Sequence, residues 1–211
     1  MSSPAASHPI GAILAGGLAS RFGGKAKGLH AVGGQRILDR IAAALQPVAS
    51  EIVLVTAAPE AESWLPGSRV VPDRLPGRGS LTGIHAALSA DSPPRDAIVI
   101  GWDMPFVTTQ LLEILFEESR LGAYEAVVPM GPQGLEPCCA WYSGRARETA
   151  GRLAEQGEQR LGMFVESLPR VRRLTPTEIR ARGGGDPAVL FQNVNTPEDL
   201  EEAERIAAGL R

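Results

Sequence analysis

Between Leu14 and Leu29 the chain reads LAGGLASRFGGKAKGL, a glycine-rich stretch with three basic side chains, Arg21, Lys25 and Lys27, and no carboxylate to pair them. Glycines let backbone N–H groups approach an anion and cations finish its neutralisation, so the pattern suits a polyphosphate. Arg21 and Lys27 stand six apart across glycines in a chain whose net charge is -3, so the loop is not part of a basic background. Spacing excludes two familiar phosphate loops. No G-x-G-x-x-G follows Leu14, and Lys27 is followed by Gly28 rather than the Ser or Thr of G-x-x-x-x-G-K-[ST]. Two carboxylates stand out further along: Asp73 ends RVVPD, and Asp103 follows AIVIGW. Asn193 and Asn195, two apart in a segment that reads as a strand, share one face and offer amide donors and acceptors. His8, His30 and His85 lack metal-ligand spacing, and Cys138 and Cys139 lie in an apolar run that reads as packing. No Ser-His-Asp or Cys-His arrangement is visible.

The elements that must position these residues follow from periodicity. IGAIL (Ile10–Leu14), EIVLVT (Glu51–Thr56) and AIVIG (Ala97–Gly101) read as buried strands covered on both faces. Between and after them, Ile37, Leu38, Ile41 and Leu45 share one helical face, as do Leu81, Ile84 and Leu88, and then Leu111, Leu112, Leu115 and Phe116. This alternation predicts a three-layer α/β fold, a mostly parallel sheet with helices on both faces. Asp103 then falls at the carboxyl end of a central strand, beside the loop after the first strand, where such sheets bind ligands. A carboxylate there is placed to hold Mg²⁺ bridging phosphate oxygens. In the second half AVVPM (Ala126–Met130) and CCAWY (Cys138–Tyr142) read as strands, joined by GPQGLEP, which contributes Glu136. TPED starts a helix, with Thr196 as cap and Asp199 at the capping-box position. RARGGGDPA (Arg180–Ala188) reads as a mobile surface loop.

With 211 residues, 44% hydrophobic and 21% charged, the chain suits one domain spanning residues 1–211, with no internal repeat. The slight acidity argues against nucleic acid or an anionic membrane as a partner. No apolar run approaches the ~18–20 residues of a membrane span. MSSPAASHP at the start has neither the charge nor the apolar run of a signal peptide, and the cysteine content suits a reducing compartment, so a cytoplasmic location is expected.

The first motif, L-A-G-G-x-x-x-R-x-G-G-x-x-K-G-L, resembles the signature of nucleotidyltransferases that activate a phosphorylated acceptor with a nucleoside triphosphate. Within that superfamily the chain resembles the molybdenum cofactor guanylyltransferases of the MobA type. PDRLPGRGSLTGIHAAL, GWDMPFV, LEPCCAWY and NVNTPEDL are similar, in order, to that family's remaining motifs, and together they span about residues 10–206. Two positions depart from the pattern. Ala26 stands where the family usually has an acid, and Ser80 replaces the proline of G-P-L.

The resemblance implies a Rossmann-like nucleotidyltransferase that moves GMP from Mg-GTP to the terminal phosphate of molybdenum-bound molybdopterin. Molybdenum cofactor biosynthesis proteins and client molybdoenzymes would be its protein partners. Lys27 would stabilise charge developing on the α-phosphate and pyrophosphate, Arg21 would meet the triphosphate, and Asp103 would hold the metal. Leu14, Ala15, Gly16 and Gly17 would line the purine, with Asp73 near base or ribose and Gly79, Leu81 and Gly83 opening the next helix beside it. These assignments put the nucleotide on residues up to about 105 and the acceptor on the remainder. There the pterin phosphate needs amides and positive charge, for which Asn193, Asn195 and Arg160 are the candidates. A CTP-using enzyme of the same fold, a transferase with another phosphorylated acceptor, and a nucleotide-binding accessory protein that transfers nothing stay open at this level.

Overall fold

The structure is a computed structural model that describes residues 8–16, 26–73, 75 and 79–210. Gly17 and Arg21 lie outside the described residues.

Three short parallel strands form its centre: β1 (Ile10–Leu14), β4 (Ile52–Val55) and β6 (Ala97–Gly101). Leu14 stands level with Val55 on one side and Gly101 on the other, so the three strands end at one edge. β2 (Ala31–Val32) and β3 (Gln35–Arg36) make a separate hairpin. β5 (Arg69–Val71) extends the sheet beyond β4. On the far side come β7 (Ala126–Gly131), β8 (Gly134–Leu135), β9 (Cys139–Tyr142) and β10 (Val171–Leu174). The strand order is β10-β7-β9-β6-β1-β4-β5, with β8 paired to β7.

β9 runs antiparallel to both of its neighbours, β6 and β7. The short β7–β9 connection has no room for the crossover that a parallel return requires, so the chain turns back on itself. The remaining pairings in the main sheet, β8 aside, are parallel.

The helices are α1 (Ile37–Leu45), α2 (Ser80–Leu88), α3 (Thr109–Ser119), α4 (Ala146–Glu155), α5 (Leu161–Glu166), α6 (Pro176–Ala181), α7 (Pro187–Leu190) and α8 (Pro197–Gly209). Alternate strand residues feed two cores, as the period of a strand dictates. Ile13, Ile98 and Ile100 pack with Ile37, Leu38, Ile41, Leu111 and Leu115 on one face. Ala12, Leu14, Ala97 and Val99 pack with Leu81, Ile84, Leu88, Ala150 and Phe164 on the other. The apolar positions that predict the first three helices are the ones that are buried, except Phe116, which is partly covered.

Two expectations are corrected. Residues 180–188 are not a free loop: α6 and α7 occupy its ends, Thr108 Oγ1 donates to Gly184 O at 2.9 Å, and Arg182 pairs with Glu117 and Glu118. Thr175 with Glu178, and Asp186 with Pro187, cap these short helices and tie down what the glycines suggest is loose. Asn193 and Asn195 lie outside the sheet, in the connection leading to α8.

Candidate active site

The site forms at the common carboxyl edge of β1 and β6, and close backbone packing builds it. Lys27–Leu29 is a single 3-10 turn. Gly28 rests on the Trp102 ring so closely that a methyl group there would lie 2.9 Å from Cε3. Trp102 is fixed in turn: its N–H donates to Leu14 O at 3.3 Å and its ring stacks on Trp64. Packing the residue after Lys27 onto the residue before Asp103 brings the two charged side chains together. Gly101 completes the arrangement, because a Cβ there would sit 2.7 Å from Asp103 Oδ1. Behind the turn, Arg40 donates to Pro105 O at 2.9 Å and covers the Phe106 ring, holding the Asp103–Pro105 corner.

Lys27 Nζ donates to Asn195 Oδ1 at 2.7 Å, across 168 residues of sequence. The segment carrying Asn195 is anchored where it meets the site: Val194 N–H donates to Asp103 O at 2.8 Å. The Asp199 carboxylate accepts from the N–H groups of Asn195 and Thr196, and Thr196 Oγ1 accepts from Asp199 N–H, the capping box read from TPED. Asn195, expected on the acceptor, therefore bonds the lysine expected on the nucleotide.

Burial raises the Asp103 carboxyl above its usual range, and the Lys27 ammonium partly opposes the shift. Such a carboxylate fits a divalent cation. Among the described residues no three or more His, Cys, Asp or Glu side chains form a cage. A metal here would take its remaining ligands from substrate phosphates and water, the usual habit of Mg²⁺.

On the other side of β1, α2 aims its N-terminus at the strand end. Gly79 caps it at φ +146°, and a Cβ on Gly83 would lie 3.2 Å from Leu14 Cδ2. Leu14, Ala15 and Leu81 are buried, whereas Gly16 is exposed at the start of the glycine-rich loop. Asp73 follows β5, and its carboxylate accepts from Leu75 N–H at 3.2 Å. Arg160 caps α5 with its guanidinium held by Glu158 at 2.8 Å; it makes no hydrogen bond or ion pair with Lys27, Asp103, Asn193 or Asn195. Asn193 flanks the cluster, half-buried.

A family model for the MobA-like NTP transferase domain matches residues 11–171. The chain belongs to this family. It is therefore a nucleotidyltransferase, of a kind that typically needs a divalent metal. A probable molybdenum cofactor guanylyltransferase of Pelotomaculum thermopropionicum is 34% identical over 95% of this chain and 94% of its own. A molybdenum cofactor guanylyltransferase of Desulfosudis oleivorans is 34% identical over 92% and 93% respectively. The crystal structure of molybdopterin-guanine dinucleotide biosynthesis protein A from Archaeoglobus fulgidus matches with TM-score 0.79 and 28% identity, covering 95% of this chain and 99% of that one.

Residue types alone do not mark three parts of this MobA-like site. Trp102 is the platform under the lysine turn, and its only signal is its place in GWD. Ser80 and Cys138, close together, bridge the start of α2 to the entry of β9. Glu136 sits next to that bridge, and burial pushes its carboxyl up to about 7.

Proposed function

We propose that this chain transfers GMP from GTP to the terminal phosphate of molybdenum-bound molybdopterin, releasing pyrophosphate. The observation that carries this reading is the Lys27–Asn195 bond beside Asp103, at the strand ends where the family motifs converge. An acceptor phosphate oxygen attacks the α-phosphorus, the bond to the β-phosphate oxygen breaks, and pyrophosphate leaves. The acceptor is already anionic near neutrality, so positioning and charge neutralisation carry the step without a general base.

Lys27 would neutralise charge growing on the transferring and departing phosphates, with Arg21 on the triphosphate. Asp103 would hold Mg²⁺, which when bound neutralises phosphate oxygens and fixes their geometry. Leu14–Gly17, Asp73, Gly79, Leu81 and Gly83 would take the nucleotide. Asn193 and Arg160 would serve the acceptor, with Arg160 exchanging Glu158 for a phosphate. Residues up to about 105 would thus bind the nucleotide and the remainder the acceptor, within one domain and with Asn195 at the seam. The reading places the protein in the cytoplasm, handing its product to molybdoenzymes. No helix among the described residues is long and apolar enough to cross a membrane.

Pyrophosphate release with GTP or CTP, with and without molybdopterin, tests the reading. GTP should exceed CTP by about 10²-fold or more in kcat/KM, within the range reached by sites that hydrogen-bond their substrate. Equal or better use of CTP overturns the guanylyl assignment, and release that is independent of acceptor overturns the transfer.

Asn195 has its own test. Replacing it with Ala removes the Lys27 partner but keeps the backbone N–H that Asp199 caps. We expect kcat to fall about tenfold or more, the scale of one charge-assisted hydrogen bond, with the melting curve little moved. A fall confined to molybdopterin affinity would return Asn195 to the acceptor alone. Equal damage to both ligands with a lower melting temperature would make it a turn-shaping residue.

A further inference from the structure

One carboxylate at the strand edge is unused by the chemistry above. Glu136 follows the β7–β8 turn and is pinned at both backbone ends: its N–H donates to Pro129 O and its carbonyl accepts from Cys139 N–H, each at 2.9 Å. Its carboxylate lies against the Cα of Gly131, where a Cβ would collide with Oε1, and the same Cβ would lie 3.0 Å from Phe191 Cδ2. The side chain is half-buried in this niche, and among the described residues no donor or cation is bonded to it. Partial desolvation weakens the hydration of a carboxylate, so a group held this way, with no donor among the described residues, is placed to accept one from a bound partner.

We propose that Glu136 recognises the acceptor by the adjacent N–H donors of a 2-amino-4-oxopyrimidine edge, that of its pterin, both accepted by one carboxylate. The proposal rests on the guanylyltransferase reading for the identity of the acceptor. A carboxylate is the natural complement of two parallel N–H groups, as in its fork-like pairing with guanidinium. Guanine carries the same edge, and position decides between the two. Glu136 precedes β9, which flanks β6 on the side away from β1. Leu14–Gly16, Asp73 and Gly79 lie toward β1, β5 and α2. Asp103 stands between the two groups, with Cys138 as the link: a Cβ on Gly101 would lie 2.7 Å from Asp103 Oδ1 and 3.6 Å from Cys138 Cβ. A nucleotide with its phosphates at Asp103 and its base toward α2 leaves Glu136 facing the other substrate. The raised affinity of Glu136 for protons agrees with a carboxylate that lacks donors until that substrate arrives.

The test compares wild type with Glu136→Gln in the full chain, since Gln keeps the shape but offers one acceptor and an opposed N–H₂. The variant should raise KM for molybdopterin about 10–100-fold, the scale of lost charge-assisted hydrogen bonds, while KM for GTP stays within about twofold. In wild type, calorimetry without nucleotide should show 6-methylpterin binding at least about tenfold more tightly than 6-methyllumazine, which has an oxo group in place of the 2-amino. Glu136→Gln should erase that preference and leave the preference for GTP over ITP, which lacks the guanine 2-amino group, unchanged. An unchanged KM for molybdopterin, or no pterin preference in wild type, overturns the proposal. Collapse of the GTP-over-ITP preference in the variant also overturns it, by assigning the edge to guanine. Failure of wild type to use GTP is a different result, which removes the guanylyl reading while the pterin comparison still decides Glu136. That wild-type comparison also stands if the variant fails to fold.

Discussion

Asn in place of Asp103 should lower kcat by about 10³-fold or more, since a metal clamp on phosphate oxygens is worth several kcal/mol in the transition state. The fold should be untouched or slightly more stable. Asp103 contributes its carbonyl to Val194 N–H, and the substitution leaves that bond in place. Its carboxyl is held above the usual range by burial, so a neutral amide of the same shape removes a desolvation cost instead of adding one. The measurements are pyrophosphate release across a magnesium titration and a melting curve. Activity near wild type at saturating magnesium would show that Asp103 does not hold the metal. A collapse of the melting curve would make its role structural.

Lys27→Ala should cost about 10²-fold or more in kcat, the scale of removing one transition-state electrostatic contact, with a smaller rise in KM for GTP. The split follows from when the contact strengthens. Charge builds on the departing pyrophosphate only as the bond breaks, so an ammonium placed beforehand stabilises the transition state more than the bound triphosphate. The substitution has two structural costs of its own. Asn195 Oδ1 loses its donor, and the desolvated Asp103 carboxyl loses the cation that partly offsets its burial. Steady-state kinetics with GTP varied at saturating molybdopterin checks the prediction. A change confined to KM would leave Lys27 a binding residue only.

Asp103 is also one of several features legible in the order of residues alone. It falls at the end of β6 because an apolar run implies a central strand, and a central strand has a carboxyl end. α1 is legible because Ile37, Leu38, Ile41 and Leu45 repeat at helical spacing, and all four are buried. The start of α8 is legible because Thr196 and Asp199 satisfy its backbone donors within a few residues and Pro197 brings none to satisfy. Each inference uses information local in sequence: a period, a cap, a strand followed by an acid.

Other features depend on distant parts of the chain meeting. The antiparallel course of β9 follows from its two neighbours, and the CCAWY run does not itself carry it. The glycines of residues 180–188 suggest freedom, and contacts from Thr108 and Glu118 remove it. Lys27 and Asn195 each read as a polar residue in a motif. Their bond exists because Gly28 fits on Trp102 and Val194 docks on Asp103, so a turn near the start and a segment near the end converge on one strand edge. Glu136 is visible in the sequence as the acid of the LEPCCAWY motif, with nothing to show its surroundings. Its half-burial, with no hydrogen-bond partner among the described residues, is a property of Gly131 and Phe191 packed around it, because desolvation is set by what surrounds a group in space. The chemistry available to this chain is thus written in its motifs, and which of those groups act on one another is decided by packing at the end of the sheet.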